Sequence, residues 1–266
     1  MGENGIMDRK IRIEYRVYKN PEALAQAAAA YLIEAVKGKT NIAVSGGSTP
    51  KNTLTLLSDA TPSIWKEMKL FFVDERLVPP DDPESNYKMV KEALLDKVPL
   101  SAEQVVRIAG ELPPEEAALQ YENEIRARFN LQTGGLPSFD IIQLGMGDDG
   151  HTASLFPHTK ALDIEDRIAV ANHIPEKDTW RVTLTKSVIN NAADVFFLIS
   201  GKDKAEPLQR GLMGCYDPGT LPVQLIAPKS GRLLFLLDKD AAALLPAPNA
   251  DGVGKVIKNN YIGSIL

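Results

Sequence analysis

The sequence is short of the side chains that build metal centres and covalent cross-links. Among its 266 residues there is one cysteine, Cys215, and there are three histidines. A single cysteine excludes an internal disulfide and any metal site made of several cysteines, and it fits a reducing compartment. The histidines show no H-E-x-x-H or other paired spacing. The sequence therefore predicts no metal site.

Long apolar runs and an excess of positive charge are lacking as well. No run approaches the roughly 18 residues of a membrane span, and the N-terminal residues lack the apolar core of a signal peptide. The formal net charge is -5 and the pI is near 5.4, which disfavours a general nucleic-acid binder. We therefore expect a cytoplasmic protein without nucleic-acid or membrane partners. An anionic ligand would have to be held by a local cluster of Arg and Lys.

What the sequence does contain is a regular alternation of short apolar runs with helical patterns. The predicted strands are 41–45, 70–73, 140–144, 168–171, 181–185, 195–199, 223–226 and 233–237, and the predicted helices are 22–37, 51–58, 85–95, 114–129, 187–191, 202–213 and 240–245. This alternation predicts an α/β fold with a mostly parallel, doubly wound (Rossmann-like) sheet. There is no flexible linker and no internal repeat. We expect a disordered lead over residues 1–10 and a single domain over residues 11–266.

Four polar segments follow predicted strands, where ligands of such sheets bind. The first is Gly46-Gly47-Ser48-Thr49, in which Ser48 or Thr49 can cap a helix. A helix N-terminus with free N–H groups is a ready anion site. The spacing matches neither a nucleotide P-loop nor G-x-G-x-x-G, which favours a simple phosphate over a nucleotide. This segment alone leaves an ordinary strand-to-helix turn equally open.

The second segment is Asp74-Glu75-Arg76, at the end of an apolar strand. It would place two acids and a cation at the ligand-binding edge of the sheet. The alternative is a surface cluster of ion pairs, which contributes little to stability. The position at a strand end favours a functional role.

The third segment, Gly145-Met146-Gly147-Asp148-Asp149-Gly150-His151, carries the strongest signal. Its glycines predict a bent loop directly after a buried strand. Imidazole is the side chain best suited to accept a proton near neutral pH, and a carboxylate can fix its tautomer. The pattern therefore favours a catalytic His151, with Asp149 or Asp148 as its partner, over a structural histidine. His158 and His173 lack such neighbours, and we expect both at the surface.

The fourth segment comprises Arg181, in a predicted strand, and Lys204, at a helix start after Gly201. Arg can hold a phosphate through two hydrogen bonds, and Lys supplies a compact charge. Without the other segments, two solvated cations would be the better interpretation.

In their order and spacing, the four segments resemble the 6-phosphogluconolactonases of the pentose phosphate pathway. The resemblance extends from about Tyr18 to Leu245 and is most specific over Leu144–Pro157, whereas Ser45–Pro50 is shared with the related glucosamine-6-phosphate deaminases. It implies a three-layer αβα fold and hydrolysis of 6-phospho-D-glucono-1,5-lactone to 6-phosphogluconate, without cofactor or metal. Enzymes of this type are often monomers, so we expect a monomer or a weak homo-oligomer.

The resemblance also assigns roles. His151 matches the catalytic histidine of the family. The cationic and phosphate-binding positions of the family are matched by Arg76, Arg181, Lys204 and the loop Gly46, Gly47, Ser48 and Thr49. The candidate catalytic carboxylates are Asp74, Asp148 and Asp149.

The side chains also suggest a mechanism for ester hydrolysis. Neutral imidazole could take a proton from water and return it to the leaving ring oxygen. Glycine-loop N–H groups or Arg76 could stabilise the oxyanion. No G-x-S-x-G serine is present, which favours direct attack by water.

Two other functions compete with a lactonase. The deaminases and isomerases of the superfamily carry a Glu shortly after the histidine, where this chain has Phe156. Phenylalanine cannot relay protons, so this departure disfavours isomerase chemistry. A non-catalytic sugar-phosphate sensor would keep the phosphate loop and the cations but could lose its base. Because His151 and its acidic neighbours are present, the sequence favours the enzyme.

Overall fold

The computed structural model describes residues 9–36, 38, 40–60 and 62–260. The strands are β1 (Arg9–Tyr18), β2 (Thr40–Val44), β3 (Met68–Phe72), β4 (Asp74–Arg76), β5 (Val105–Val106), β6 (Ile141–Leu144), β7 (Ala169–Ile174), β8 (Thr179–Leu184), β9 (Asp194–Ile199), β10 (Arg232–Asp238) and β11 (Val253–Asn260). The α-helices are α1 (Pro21–Ala35), α2 (Ser48–Leu57), α3 (Asn86–Ala93), α4 (Pro114–Arg128), α5 (Lys186–Ile189) and α6 (Ala205–Met213). None of the helices within these ranges is long and apolar enough to cross a membrane.

Eight strands form one sheet in the order β11-β1-β10-β9-β6-β2-β3-β5. All neighbours in it run parallel except β11, which is antiparallel to β1. The chain winds from β2 towards one edge through β3 and β5, then returns to β6 and winds towards the other edge through β9 and β10. This confirms the predicted α/β class with a mostly parallel, doubly wound sheet. The winding direction reverses between β2 and β6, and sheets of this kind bind ligands at such a point.

The centre of this sheet is buried on both faces, which explains why its strands are apolar throughout rather than alternating. Every residue of β6 is buried, as are Val195–Ile199 of β9. Across the neighbouring strands, the rings of Phe197 and Phe235 stack with their centroids 4.5 Å apart. A core of this kind holds the loops at the strand ends in fixed positions.

A second, three-stranded antiparallel sheet has the order β4-β8-β7. The predicted strands 168–171 and 181–185 belong to this sheet and not to the parallel one. The two sheets join at Val73, whose N–H donates to Val44 O at 2.9 Å and whose carbonyl accepts from the N–H of Leu184 at 2.9 Å. Strand β4 therefore leaves the parallel sheet at its carboxyl edge and brings Asp74 and Arg76 with it.

Three further predictions about elements were wrong. The segment predicted as strand 223–226 is a 3-10 helix, Pro222–Leu225, because Pro222 fits the first turn of a helix and has no N–H for a sheet. The segment predicted as helix 240–245 is a turn, which Pro246 follows. Strand β1 begins at Arg9, so residues 9–10 of the predicted lead are ordered, and residues 1–8 lie outside the described part of the chain.

Candidate active site

A cavity of about 290 Å³ opens at the point where the winding direction of the sheet reverses. Eight of its lining residues were predicted from the sequence: Gly46, Gly47, Ser48, Thr49, Asp74, Arg76, His151 and Lys204. Three predicted residues, Asp148, Asp149 and Arg181, do not line it. The cavity therefore joins the loops that follow β2, β3, β6 and β9, and each of these loops supplies one of the predicted segments.

The loop after β2 presents the N-terminus of α2 to the cavity. Gly47 precedes the helix with φ = 110°, a backbone conformation that favours glycine, and no side chain caps the helix. The expectation that Ser48 or Thr49 is the cap was therefore wrong: both are residues of the first helical turn. Because no side chain takes the first N–H groups, they are available to an anionic ligand.

A buried glutamine holds the start of this loop. The amide oxygen of Gln143, on β6, accepts from Ser45 N–H at 3.2 Å, and its amide nitrogen donates to Ser45 Oγ at 2.9 Å. Both residues are buried, and Ser45 lines the cavity. These two hydrogen bonds connect the loop after β2 to strand β6, beside the cavity.

Asp74 is buried and fully engaged on the cavity wall. Its Oδ2 accepts from Ser154 Oγ at 2.6 Å, and its backbone carbonyl accepts from the side-chain amide of Asn86 at 2.9 Å. Asn86 itself packs so closely on Gly46 that a Cβ there would lie 1.8 Å from its Oδ1. Asp74 therefore connects Ser154, which follows His151, to Asn86, which packs on the loop after β2. Asp74 also lines the cavity.

Glu75 points away from the cavity, contrary to the expectation that both acids of its segment face a ligand. Its carboxylate accepts from the backbone N–H groups of Arg76, Asn86 and Tyr87, each at 2.7 Å. Burial raises the pKa of Glu75 despite these bonds, and the charge of Asp74 adds to the rise. The role of Glu75 is to cap α3 and to fix the backbone that carries Arg76.

The two arginines are neighbours in the second sheet. Arg76 lies opposite Arg181 in the register of β4 and β8, and its Nη1 donates to Glu84 O at 2.6 Å. Arg181 is partly buried, and its Nη1 is enclosed without a hydrogen-bond partner in the described chain. The pair forms a cationic wall, of which Arg76 borders the cavity directly.

His151 and Asp149 form a close pair at the other side of the cavity. Asp149 Oδ1 lies 2.5 Å from His151 Nδ1 and also accepts from the His151 backbone N–H at 2.9 Å. Burial alone would raise the pKa of Asp149, but the hydrogen bonds and charge of His151 and the charge of Lys177 lower it to about 2. Asp148 is exposed and makes no contact with the ring. The structure thus favours Asp149 over Asp148 as the partner of the imidazole.

Lys204 reaches the cavity from the loop after β9. Its Nζ lies 2.9 Å from the exposed carboxylate of Asp203. The loop is held by Asp238, a buried residue at the end of β10, which accepts from Ser200 Oγ at 2.5 Å and from Gly201 N–H. Lys204 therefore lines the same cavity as the N-terminus of α2.

No role was predicted for four residues that hold this site together: Ser45, Gln143, Ser154 and Asp238. Their only signal was their position at the end of a strand or beside a predicted catalytic segment. Within the described ranges, no group of three or more His, Cys, Asp or Glu side chains is arranged for a metal ion. Taken together, the arrangement can bind an anion, polarise an oxygen and move a proton.

Comparison with known proteins identifies the family of this chain. A family model described as "Glucosamine-6-phosphate isomerases/6-phosphogluconolactonase" matches residues 19–235. The chain is 40% identical to a 6-phosphogluconolactonase of Synechocystis over 78% of this chain and 85% of the relative, and 38% identical to one of Homo sapiens over 85% and 88%. The solved structure of a Trypanosoma cruzi 6-phosphogluconolactonase superposes with a TM-score of 0.81 at 31% identity, covering 90% of this chain and 99% of the other.

These matches cover most of both chains in each comparison. The predicted resemblance to the 6-phosphogluconolactonases is confirmed, and the chain belongs to the family of glucosamine-6-phosphate isomerases and 6-phosphogluconolactonases.

Proposed function

We propose that this protein is a cytoplasmic 6-phosphogluconolactonase that hydrolyses 6-phospho-D-glucono-1,5-lactone to 6-phosphogluconate, with His151 activating the attacking water. The lactonase class rests on the relatives of that name, which are 38–40% identical to this chain over the aligned residues. The mechanism rests on one observation, the pairing of His151 Nδ1 with Asp149 at the wall of a cationic cavity.

The pairing of His151 with Asp149 assigns the proton transfer to one of the two ring nitrogens of His151. Since Asp149 is ionised at neutral pH, Nδ1 carries the proton and donates it to the carboxylate. Nε2 then has a free lone pair and makes no hydrogen bond within the described chain. In this tautomer His151 takes a proton from water as the water oxygen attacks the lactone carbonyl. It returns the proton to the ring oxygen when the ester bond breaks.

Phosphate binding would orient the substrate. The free N–H groups at the start of α2 and the ammonium of Lys204 border the same cavity. A dianionic phosphate suits both, because helix N-termini and lysines attract negative charge. Binding energy gained there positions a carbonyl at the far end of the sugar without taking part in the reaction.

The oxyanion has fewer candidate donors than the sequence left open. In the glycine loop, Gly147 N–H already donates to His151 O at 2.9 Å, and Gly150 N–H donates to Gly147 O at 3.1 Å. Arg76 borders the cavity and uses Nη1 for a backbone contact, which leaves its other N–H groups for a ligand. We therefore assign the developing negative charge on the carbonyl oxygen to Arg76 rather than to the N–H groups of Gly147 and Gly150.

The residue beside the His151 ring disfavours deamination or isomerisation of an amino-sugar phosphate. Those reactions need a second acid–base group beside the histidine. Here Phe156 lies against the imidazole of His151, with ring centroids 3.9 Å apart. A carboxylate could occupy this position only if the ring were absent.

The test compares 6-phosphogluconate formation from freshly prepared lactone by the wild type and by His151→Ala, with spontaneous hydrolysis subtracted. We expect the variant to lose roughly two to four orders of magnitude in kcat while still binding 6-phosphogluconate. His158→Asn is the matched control, because His158 is exposed and has φ = 58°, which Asn tolerates. No acceleration by the wild type would refute the lactonase, and full activity of His151→Ala would refute the assigned base.

A further inference from the structure

The ring of Phe156 lies flat against the imidazole of His151. The two ring planes are inclined by 18° and their centroids are 3.9 Å apart. Phe156 is buried and does not line the cavity, whereas the side chain of His151 is 22% exposed and does. A flat contact at this distance covers one face of the imidazole and prevents the ring from turning about its χ2 bond.

The short segment between the two rings is fixed by its own bonds. The chain folds back in a turn in which Leu155 N–H donates to Thr152 O at 2.9 Å, and Ala153 takes φ = 52°. A left-handed backbone conformation is unfavourable for alanine. The side chain of Ser154, which bonds to Asp74 at 2.6 Å, holds the turn in this conformation. The strained conformation of Ala153 therefore belongs to the turn that places the ring of Phe156 over that of His151.

The edge of the imidazole is confined as tightly as its face. A Cβ at Gly147 would lie 2.1 Å from His151 Nδ1, so the loop backbone passes directly beside that nitrogen. Asp149 occupies the hydrogen-bonding position of the same nitrogen. With one face and the Nδ1 edge enclosed, Nε2 is the part of the ring that remains for a substrate.

A lysine side chain beside the second sheet lies over the ring of Phe156. The Nζ of Lys177, in the turn between β7 and β8, lies 4.8 Å from the centroid of the Phe156 ring. An ammonium over the face of an aromatic ring is attracted by the negative charge density of that face. Lys177 therefore helps to keep Phe156 in place, although it does not contact the imidazole through a hydrogen bond.

We propose that Phe156 is a positioning residue of the lactonase reaction: it holds the His151 ring so that Nδ1 stays on Asp149 and Nε2 stays directed at the water that attacks the lactone carbonyl. The inference rests on the proposed function above. Its physical content is that a rigid, flat side chain is required here, because a flexible apolar side chain of similar volume would fill the space but let the imidazole rotate.

The kinetic test compares Phe156→Leu with Phe156→Tyr. For Phe156→Leu we expect kcat to fall about ten- to a hundredfold, the cost of a misplaced catalytic group. KM should change little, because Phe156 does not line the cavity. Phe156→Tyr keeps the flat ring and should retain most of the activity.

A nitrogen-15 NMR spectrum of the histidine side chains separates positioning from a general structural role. In the wild type we expect His151 to give one tautomer, with Nδ1 protonated and Nε2 unprotonated. In Phe156→Leu the two nitrogen resonances should move towards averaged positions. Trp180→Leu is the matched control, since it removes the other aromatic ring that packs on a histidine, His173, with centroids 5.0 Å apart. That variant should leave kcat and the His151 resonances unchanged.

Three results would overturn the inference. They are wild-type kcat in Phe156→Leu, a loss of activity in that variant with an unchanged His151 tautomer, and an averaged tautomer in the wild type itself. The last measurement needs neither a folded variant nor turnover. If the wild type does not open the lactone, the proposed function fails, and the nitrogen spectrum still decides whether Phe156 holds the ring.

Discussion

Arg76 and Arg181 lie directly opposite each other in the antiparallel pair of β4 and β8, although both side chains are cations. Burial lowers the pKa of Arg181, and the neighbouring charge of Arg76 lowers it further. Its enclosed Nη1 has no hydrogen-bond partner in the described chain. The charges of Asp74, Glu84 and Glu75 partly offset the lowering of the Arg181 pKa. Two facing cations, one of them with an enclosed N–H group, favour the binding of an anion nearby.

Arg181 does not line the cavity and acts on a ligand only through its neighbour Arg76, so Arg181→Met should weaken the binding of 6-phosphogluconate by less than the about 1.5–3 kcal/mol of a direct hydrogen bond to a charged group. The ligand-free variant should be at least as stable as the wild type, because the unpaired cation has been removed. Thermal unfolding with and without 6-phosphogluconate measures both effects. Arg128→Met, on α4, is the control and should keep the full ligand-induced rise in Tm. An undiminished rise in Arg181→Met would contradict the prediction.

The pairing of His151 with Asp149 predicts a large effect of Asp149→Asn on kcat. An amide can donate to Nδ1 as well as accept from it, so the imidazole loses its fixed tautomer. We expect a loss of roughly two to four orders of magnitude in kcat, with little change in KM. Asp148→Asn tests the alternative that the sequence left open, and it should remain near wild type because Asp148 is exposed. Similar losses in both variants would show that the pairing in the structure is not the one used in the reaction.

The low pKa of Asp149, about 2, also predicts how stability depends on pH. A carboxyl whose pKa is lower in the folded protein stabilises the fold while it is ionised. Its contribution is complete above the unfolded pKa, about 3.9, and is lost as the pH falls towards 2. The difference in unfolding free energy between the wild type and Asp149→Asn should therefore shrink over this interval. Urea unfolding of both proteins at a series of pH values measures it, and a constant difference would be inconsistent with the linkage.

The central strands of the parallel sheet were predictable because they are mostly apolar, as in Val195–Ile199 and Leu233–Leu237. Strand β1 was missed although Ile11, Ile13, Tyr15 and Val17 alternate with polar residues, which is the period of a strand. The segment 223–226 was misassigned since apolar runs of this length do not distinguish a strand from a buried helical turn. The antiparallel sheet could not be predicted, because β4 has only three residues and becomes a strand through its pairing with β8.

In the site, too, local sequence patterns were enough to predict some residues, whereas the roles of others depend on contacts between distant parts of the chain. Glycine spacing, strand-end position and residue chemistry were enough to propose His151, Arg76 and Lys204. The sequence could not decide between Asp148 and Asp149, because the choice depends on the direction in which the loop turns. It also could not show that Glu75 caps α3, since that role depends on a helix whose first residues, Asn86 and Tyr87, donate to it.

Asp238 carries a last prediction, because it reaches the site only through other residues. Its carboxylate accepts from Ser200 Oγ at 2.5 Å, from Gly201 N–H at 3.1 Å and from Ala241 N–H at 2.8 Å, and so it uses both oxygens. Asp238→Asn replaces one acceptor with a donor and should cost about 1–3 kcal/mol of unfolding free energy. Because the loop it holds carries Lys204, KM for the phosphorylated lactone should rise more than kcat falls. Asp240→Asn, two residues away and exposed, should change neither. An equal stability loss with unchanged KM would show that Lys204 does not depend on Asp238 for its position.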